Sequence, residues 1–236
     1  MKTGVYIQKI YNDGVKGQLN YNILYPNGFK INSGTKNPLI VFLHGAGERG
    51  DDNLAQLKHI SKNFLDDDFT KKHQAIVIFP QCPEGDYWAN KSERFLIDSK
   101  SPPKESMRKV IDLINSFRSL SYIDKNRIYL TGLSMGGMGT FDLLSRKPEW
   151  FAAAVSVCGA ADLDVVEKYK HIPMKIFHGA KDEVVPAERS QAAYNALRAL
   201  NAPVELEVYP NGGHDIWNKV YDKNKVIEWM LNQKKR

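Results

Sequence analysis

Gly132-Leu133-Ser134-Met135-Gly136 stands between an apolar, β-branched and aromatic run, Ile128-Tyr129-Leu130-Thr131, and a helix-like stretch from Met138 to Lys147. A serine with glycines two before and two after is what a tight strand-to-helix turn requires. The turn strains the serine backbone and brings neighbouring chain so close that a side chain at either glycine would clash. The hydroxyl is thereby lifted out of the fold, with a helix N-terminus behind it. Five residues of this pattern arise by chance in roughly one chain in ten, so the weight rests on their setting and on what lies downstream.

Outward from that turn, strands and helices alternate. Two strands, Val5 to Tyr11 and Leu19 to Tyr25, are joined by a turn-rich segment containing Asn12-Asp13-Gly14. Leu39 to Leu43 and Ala75 to Phe79 are continuous apolar runs, bounded by Pro38 and Gly45 and by Pro80, as suits strands buried on both faces. A helical segment is expected between Asn53 and Leu65, and a polar and aromatic surface loop from Glu84 to Ser101. Pro102 or Pro103 opens a helix carrying Met107, Val110, Ile111, Ile114 and Phe117 on one face. After strand Arg127 to Thr131 and the serine turn come strands Phe151 to Cys158 and Met174 to His178. A helix from Pro186 to Leu200, a strand from Val204 to Tyr209 and a helix from Ile216 to Leu231 complete the order, with Asn224 as the one polar break in the last apolar stripe. The pattern predicts an α/β fold: a mostly parallel sheet covered on both faces, with an antiparallel N-terminal hairpin, forming a single domain over residues 1–236.

In such a sheet the reactive loops gather at the carboxyl ends of the strands, and three of those ends carry what acyl transfer needs. Ser134 is the candidate nucleophile; a free hydroxyl is a poor one and requires an adjacent base. His214, in Asn211-Gly212-Gly213-His214-Asp215 after the last strand, is the candidate base. Asp182, just after the preceding strand, is the candidate orienting acid, with Glu183, Asp162 and Asp164 as rivals. After Leu43, the glycines of His44-Gly45-Ala46-Gly47-Glu48 let backbone N–H groups face a developing oxyanion. The expected donors are the amides of Ala46 and Met135, each typically worth about 2.7–4 kcal/mol to a transition state. Of the other histidines, His59 and His73 lie in polar surface segments and His171 in a loop. His44 and His178 each end a strand before glycine, where they are expected to brace loops by hydrogen bonding. No His-x-x-x-His or Cys-x-x-Cys pair occurs, so no metal site is expected, and no cofactor motif appears.

The run Leu43-His44-Gly45-Ala46-Gly47-Glu48-Arg49-Gly50-Asp51-Asp52-Asn53, with Pro80-Gln81-Cys82-Pro83, the serine turn and Phe177-His178-Gly179, resembles the α/β-hydrolase superfamily. Within it the chain is similar to small bacterial phospholipase/carboxylesterase-like esterases, also described as predicted peptidases, which shade into feruloyl and acetylxylan esterases. The resemblance implies Ser134, Asp182 and His214 as nucleophile, acid and base, in this fold's chain order, and Gly45-Ala46 as the oxyanion loop. Dienelactone hydrolases share the fold but carry cysteine where this chain has Ser134, and the propeller domain of prolyl-peptidase relatives has no residues here to form it. The activity implied is hydrolysis of carboxylic esters, either acyl esters of carbohydrates (feruloyl or acetyl) or short-chain esters. An acyltransferase with the same triad and a lysophospholipase- or peptidase-like hydrolase remain as alternatives.

Only a short segment separates Cys158 from Met174, too short for a cap domain. An uncapped site suits soluble or polymer-tethered esters better than a lipid interface. Tyr87-Trp88 and Trp217 are candidates for an aromatic wall against a sugar or phenolic acid, although Trp217 also fits the packed face of the last helix. The 42% hydrophobic content of 236 residues supplies one large core. The net charge of +6 comes from scattered lysines rather than a basic stripe, which argues against nucleic-acid binding. No apolar run approaches the ~20 residues of a membrane span. The start has no apolar signal region, which fits a cytoplasmic protein or one whose leader lies outside this sequence, and the compartment stays open. A monomer or homodimer is expected. Cys82 and Cys158 fall near one end of the sheet as two free thiols rather than a bridge.

Overall fold

A computed structural model describes residues 2–12, 14, 17–92 and 95–235, without the side chains of Asp67 and Asp68. Asp13, in the predicted first turn, lies outside the described residues. Eight strands form one sheet: β1 (Tyr6–Asn12), β2 (Gln18–Leu24), β3 (Asn37–Leu43), β4 (Ile76–Pro80), β5 (Ile123–Leu133), β6 (Ala153–Val157), β7 (Met174–Gly179) and β8 (Val204–Tyr209). Their spatial order is β1-β2-β4-β3-β5-β6-β7-β8. The hairpin β1-β2 is antiparallel and joins β4 antiparallel; every pair from β4 to β8 is parallel.

The unbroken apolar runs follow from two buried faces. Along β3, Leu39, Val41 and Leu43 enter one core while Ile40 and Phe42 enter the other. Strand β4 repeats this, with Ile76 and Ile78 opposed to Val77 and Phe79. Because side chains alternate across a strand, a strand covered on both sides has no polar position left to break the pattern. The first core is closed by α2 (Glu105–Arg118), α3 (Met135–Arg146) and α4 (Glu188–Ala199), through residues such as Val110, Phe141 and Leu197. The second is closed by α1 (Asp67–Lys72), α5 (Trp217–Val220) and α6 (Lys225–Leu231), through Phe69, Val220 and Ile227.

Three expectations need correction. The segment from Asn53 to Leu65 is two 3-10 turns, Ala55–Leu57 and Ser61–Leu65, not a helix. Asn53 (φ 53°) and Ile60 (φ 45°) take left-handed backbone, and the Asp52 carboxylate captures the Leu54 and Ala55 amides at 2.9 and 3.0 Å. Asn53 is tied down from several sides. Its amide donates to Gln81 Oε1 (2.7 Å), its side chain donates to the Lys9 carbonyl (3.0 Å), and its own carbonyl accepts from Asn22 Nδ2 (2.7 Å) and Gln8 Nε2 (3.1 Å). These long-range bonds outweigh local helix propensity. The last predicted helix is broken, because Lys223 (φ 52°) and Asn224 (φ 57°) are left-handed between α5 and α6. Asn63 Nδ2 holds the break by donating to the Tyr221 carbonyl (2.7 Å) and Asn224 Oδ1 (2.8 Å). Finally, the loop after β4 is not wholly on the surface: Trp88 and Ala89 are fully buried, and Lys91 bridges to Ile97.

Candidate active site

Parallel strands align their carboxyl ends, so the segments following β3, β5, β6, β7 and β8 open on one edge of the sheet. Ser134 joins β5 to α3 with φ 53° and ψ −118°, a strained conformation for any residue with a Cβ. Its amide donates to the Val157 carbonyl at 2.8 Å, and its carbonyl accepts from Met138 at 3.1 Å. The flanking glycines are obligatory. A Cβ on Gly136 would lie 1.9 Å from the Leu43 carbonyl oxygen, and one on Gly132 would lie 2.3 Å from the Gly136 oxygen. The serine thus stands half-buried at the edge because backbone from β3, β5 and α3 meets with no room for side chains.

His214, between β8 and α5, places Nε2 2.8 Å from Ser134 Oγ and Nδ1 2.8 Å from Asp182 Oδ2. A carboxylate only accepts, so Nδ1 carries the proton and Nε2 is left to accept from the serine hydroxyl. Asp182 Oδ1 is held by the Val184 and Val185 amides at 2.9 and 2.8 Å. Its side chain has no exposed surface. Burial pushes this carboxyl up, yet the hydrogen bonds from His178, His214 and the two amides outweigh burial and hold it well below the usual carboxylate range. Two of the three rivals are engaged elsewhere: Asp162 accepts from the Ser99 and Asp164 amides, and Asp164 pairs with Lys100 at 2.6 Å.

The Gly45-Ala46 turn abuts the serine, since a Cβ on Gly45 would sit 3.6 Å from Ser134 Cβ. Ala46 begins a 3-10 turn and Met135 begins α3, and neither amide has an acceptor among the described residues. Two unspent donors, one of them at the positive end of a helix, thus lie in the turns that flank the serine. His44 braces this loop as anticipated. Its Nδ1 faces the Gly45 carbonyl (2.6 Å), its Nε2 accepts from the Cys82 amide (2.9 Å), and its carbonyl accepts from Trp88 Nε1 (3.0 Å). Burial lowers the His44 imidazole to about 4.

A model of the phospholipase/carboxylesterase family matches residues 28–227. The chain belongs to that family. Lysophospholipase-like protein 1 of Mus musculus is 26% identical over 220 residues, which span 85% of this chain and 89% of that protein. The crystal structure of a thermostable esterase superposes with a TM-score of 0.89 at 33% identity, covering 98% of this chain and 63% of that one. This carboxylesterase-family chain therefore spans less than two thirds of that esterase's length. A ferulic acid esterase superposes with a TM-score of 0.69 at 16% identity over 96% of this chain and 98% of its own, a likeness of fold. The architecture is the α/β-hydrolase fold, with the antiparallel β1-β2 hairpin at one edge. Between β6 and β7 lies a 3-10 turn, Leu163–Tyr169, whose Val166 and Tyr169 pack into the first core.

The aromatic residues of this esterase-family site divide. Trp88 is fully buried, packed against His44 and Gly139, so it offers no ring face to a ligand and braces the loop after β3 instead. Tyr87 is half-buried, its hydroxyl 4.0 Å from Met138 Sδ one turn into α3, with Lys91 5.1 Å over its ring. Trp217 is half-buried in the second core and stands edge-on to His214, centroids 5.4 Å apart. Two contacts carry no sequence signal. His59, 155 positions from His214, meets Trp217 at 5.3 Å and pairs with the buried Glu48 at 3.2 Å. His178 does more than brace a loop, since its Nε2 lies 3.1 Å from Asp182 Oδ2. Both cysteines are buried and free. No helix among the described residues is long and apolar enough to cross a membrane.

Proposed function

We propose that this chain is a serine carboxylesterase acting through an acyl-enzyme on Ser134, with residues 1–236 working as one catalytic domain. The observation that carries the reading is the pair of 2.8 Å contacts linking Ser134, His214 and Asp182. As Ser134 Oγ attacks the ester carbonyl, its proton passes to His214 Nε2, and the imidazolium is stabilised by Asp182 through Nδ1. The carbonyl oxygen becomes an oxyanion within reach of the Ala46 and Met135 amides. Collapse expels the alcohol, which takes the proton from Nε2, and leaves the acyl group on Oγ. Water then repeats the sequence with His214 as base, releasing the acid and restoring the serine.

For substrates, we propose acyl esters of carbohydrates, feruloyl or acetyl, or short-chain esters. The short segment after β6 leaves the edge uncapped. Trp217 beside His214 and Tyr87 beside α3 supply partly exposed aromatic surface of the kind that sugars and phenolic acids pack against. Val184, 55% exposed and two residues from Asp182, adds an apolar rim. The test is covalent labelling by a fluorophosphonate probe, expected for the wild type and lost in Ser134→Ala; an unlabelled wild type would refute the serine mechanism. A panel of aryl acetates, acetylated xylo-oligosaccharides, methyl ferulate and a peptide amide, ranked by kcat/KM, tests the substrate class. A dominant transfer product at modest acceptor alcohol would turn the reading to acyltransferase.

A further inference from the structure

Asp182 Oδ2 receives two imidazoles. His214 Nδ1 approaches it at 2.8 Å and His178 Nε2 at 3.1 Å, while Oδ1 takes two loop amides. The carboxylate thus faces four N–H groups, of which the one on His178 is shared with a backbone carbonyl. His178 is the last residue but one of β7 and is fully buried, so its ring cannot be a solvated bystander. Its Nε2 has two neighbours, Asp182 Oδ2 and the Val185 carbonyl at 2.9 Å, and both are pure acceptors. The proton on Nε2 is thereby fixed, and that atom donates. On the far side Nδ1 lies 2.7 Å from Ser190 Oγ, which is 3.1 Å from the Gly159 carbonyl. The ring thus ties Asp182 to α4 and to the turn after β6. The other titratable groups facing this carboxylate are His214 and the Cys158 thiol, which itself donates to the His214 carbonyl at 3.4 Å.

Building on the reading of Asp182 as the acid of the triad, we infer that His178 is a positioning residue for it. Its Nε2–H, shared between the Val185 carbonyl and the Oδ2 atom that orients His214, steadies that atom, and the Ser190 hydroxyl holds the ring. The consequence has a sign. A hydrogen bond donated to a carboxylate stabilises its negative charge and moderates its pull on a neighbouring imidazolium. Removing that donor leaves Asp182 with one fewer partner, so it holds the proton on His214 more strongly. The acid limb of the activity profile then moves to higher pH. The freed carboxylate also loses its fixed direction, which lowers kcat without touching substrate binding.

The experiment compares wild type, His178→Leu, His178→Gln and Ser190→Ala on p-nitrophenyl acetate, with kcat, KM and the pH profile of kcat/KM, after circular dichroism confirms folding. For His178→Leu the expected result is a kcat lower by about ten- to a hundredfold, the worth of one charge-assisted hydrogen bond. KM should stay within about twofold of wild type, and the acid midpoint should rise by about 0.5 or more on the pH scale. His178→Gln, which keeps an N–H donor, should recover most of kcat and the wild-type midpoint. A folded His178→Leu with wild-type kcat overturns the inference. So does one with lowered kcat but an unmoved acid midpoint, or a Gln variant as impaired as Leu. Should His178→Leu fail to fold, Ser190→Ala decides, since releasing the ring must shift the midpoint in the same direction; an unshifted profile there overturns it. Fluorophosphonate labelling of the wild type tests the triad independently, so failure of that reading is distinguishable from failure of the role of His178.

Discussion

His44 makes this protein's stability depend on pH in a way that can be worked out beforehand. Its Nε2 accepts the Cys82 amide, and its Nδ1 faces the Gly45 carbonyl and so donates to it. A second proton would set N–H against N–H in a fully buried site. Burial accordingly holds the native imidazole near 4, against 6.5 for an unperturbed histidine. As pH falls through about 6.5 the unfolded chain takes up a proton that the native state refuses. Stability from this group is complete above about 6.5 and is lost progressively as pH falls toward 4. The difference of about 2.5 in pKa corresponds to about 3 kcal/mol. Many other groups titrate in acid, so the informative quantity is the difference between wild type and His44→Gln, which keeps a polar side chain and removes the titration. Urea unfolding at steps from pH 7 to 4 should show wild type more stable at neutral pH, with its advantage shrinking by about 3 kcal/mol across that window. Parallel stability curves for the two proteins would refute the reasoning.

Three further outcomes are expected. Ser134→Ala and His214→Ala should each lower kcat at least ~10³-fold on an aryl ester, with Asp182→Asn somewhat less, because the three act as a unit; near-normal turnover in Asp182→Asn would move the acid role elsewhere. Gly136→Ala, which drives a methyl group to 1.9 Å from the Leu43 oxygen, should cost more than about 3 kcal/mol in chemical denaturation. Gly47→Ala, with no atom within 4 Å, should stay within about 0.5 kcal/mol of wild type, and equal effects would contradict the packing described. Burial pushes the Cys82 thiol up to about 12 and the Cys158 thiol higher still. At pH 8 neither should react with a disulfide reagent in the native protein, and both should react in 6 M guanidinium (a roughly saturating dose). Rapid reaction of the native protein would refute that.

How much was legible depended on the range of the forces involved. The serine turn could be read because its glycines answer a local demand: no side chain fits where backbone meets backbone. The strands from Leu39 and Ala75 could be read because burial on both faces leaves an unbroken apolar run. The segment from Asn53 to Leu65 could not, since its conformation is set by Lys9, Asn22 and Gln81, distant in the chain. Trp88 looked like a candidate ligand wall because nothing nearby in sequence tells that its indole reaches the His44 carbonyl. The contacts of His59 with Trp217 and of His178 with Asp182 likewise arise only once the strand ends are brought side by side. Asn224 did register as an oddity in an apolar stripe, and the helix breaks there.

The ties from β1 and β2 to Asn53 give the amino-terminal hairpin a purpose beyond closing an edge. Gln8, Lys9 and Asn22 hold the stretch that follows the Ala46 turn, so the two hairpin strands act as a remote buttress for that turn. Trimming or loosening that hairpin would blunt turnover from a distance while every member of the triad stayed in place.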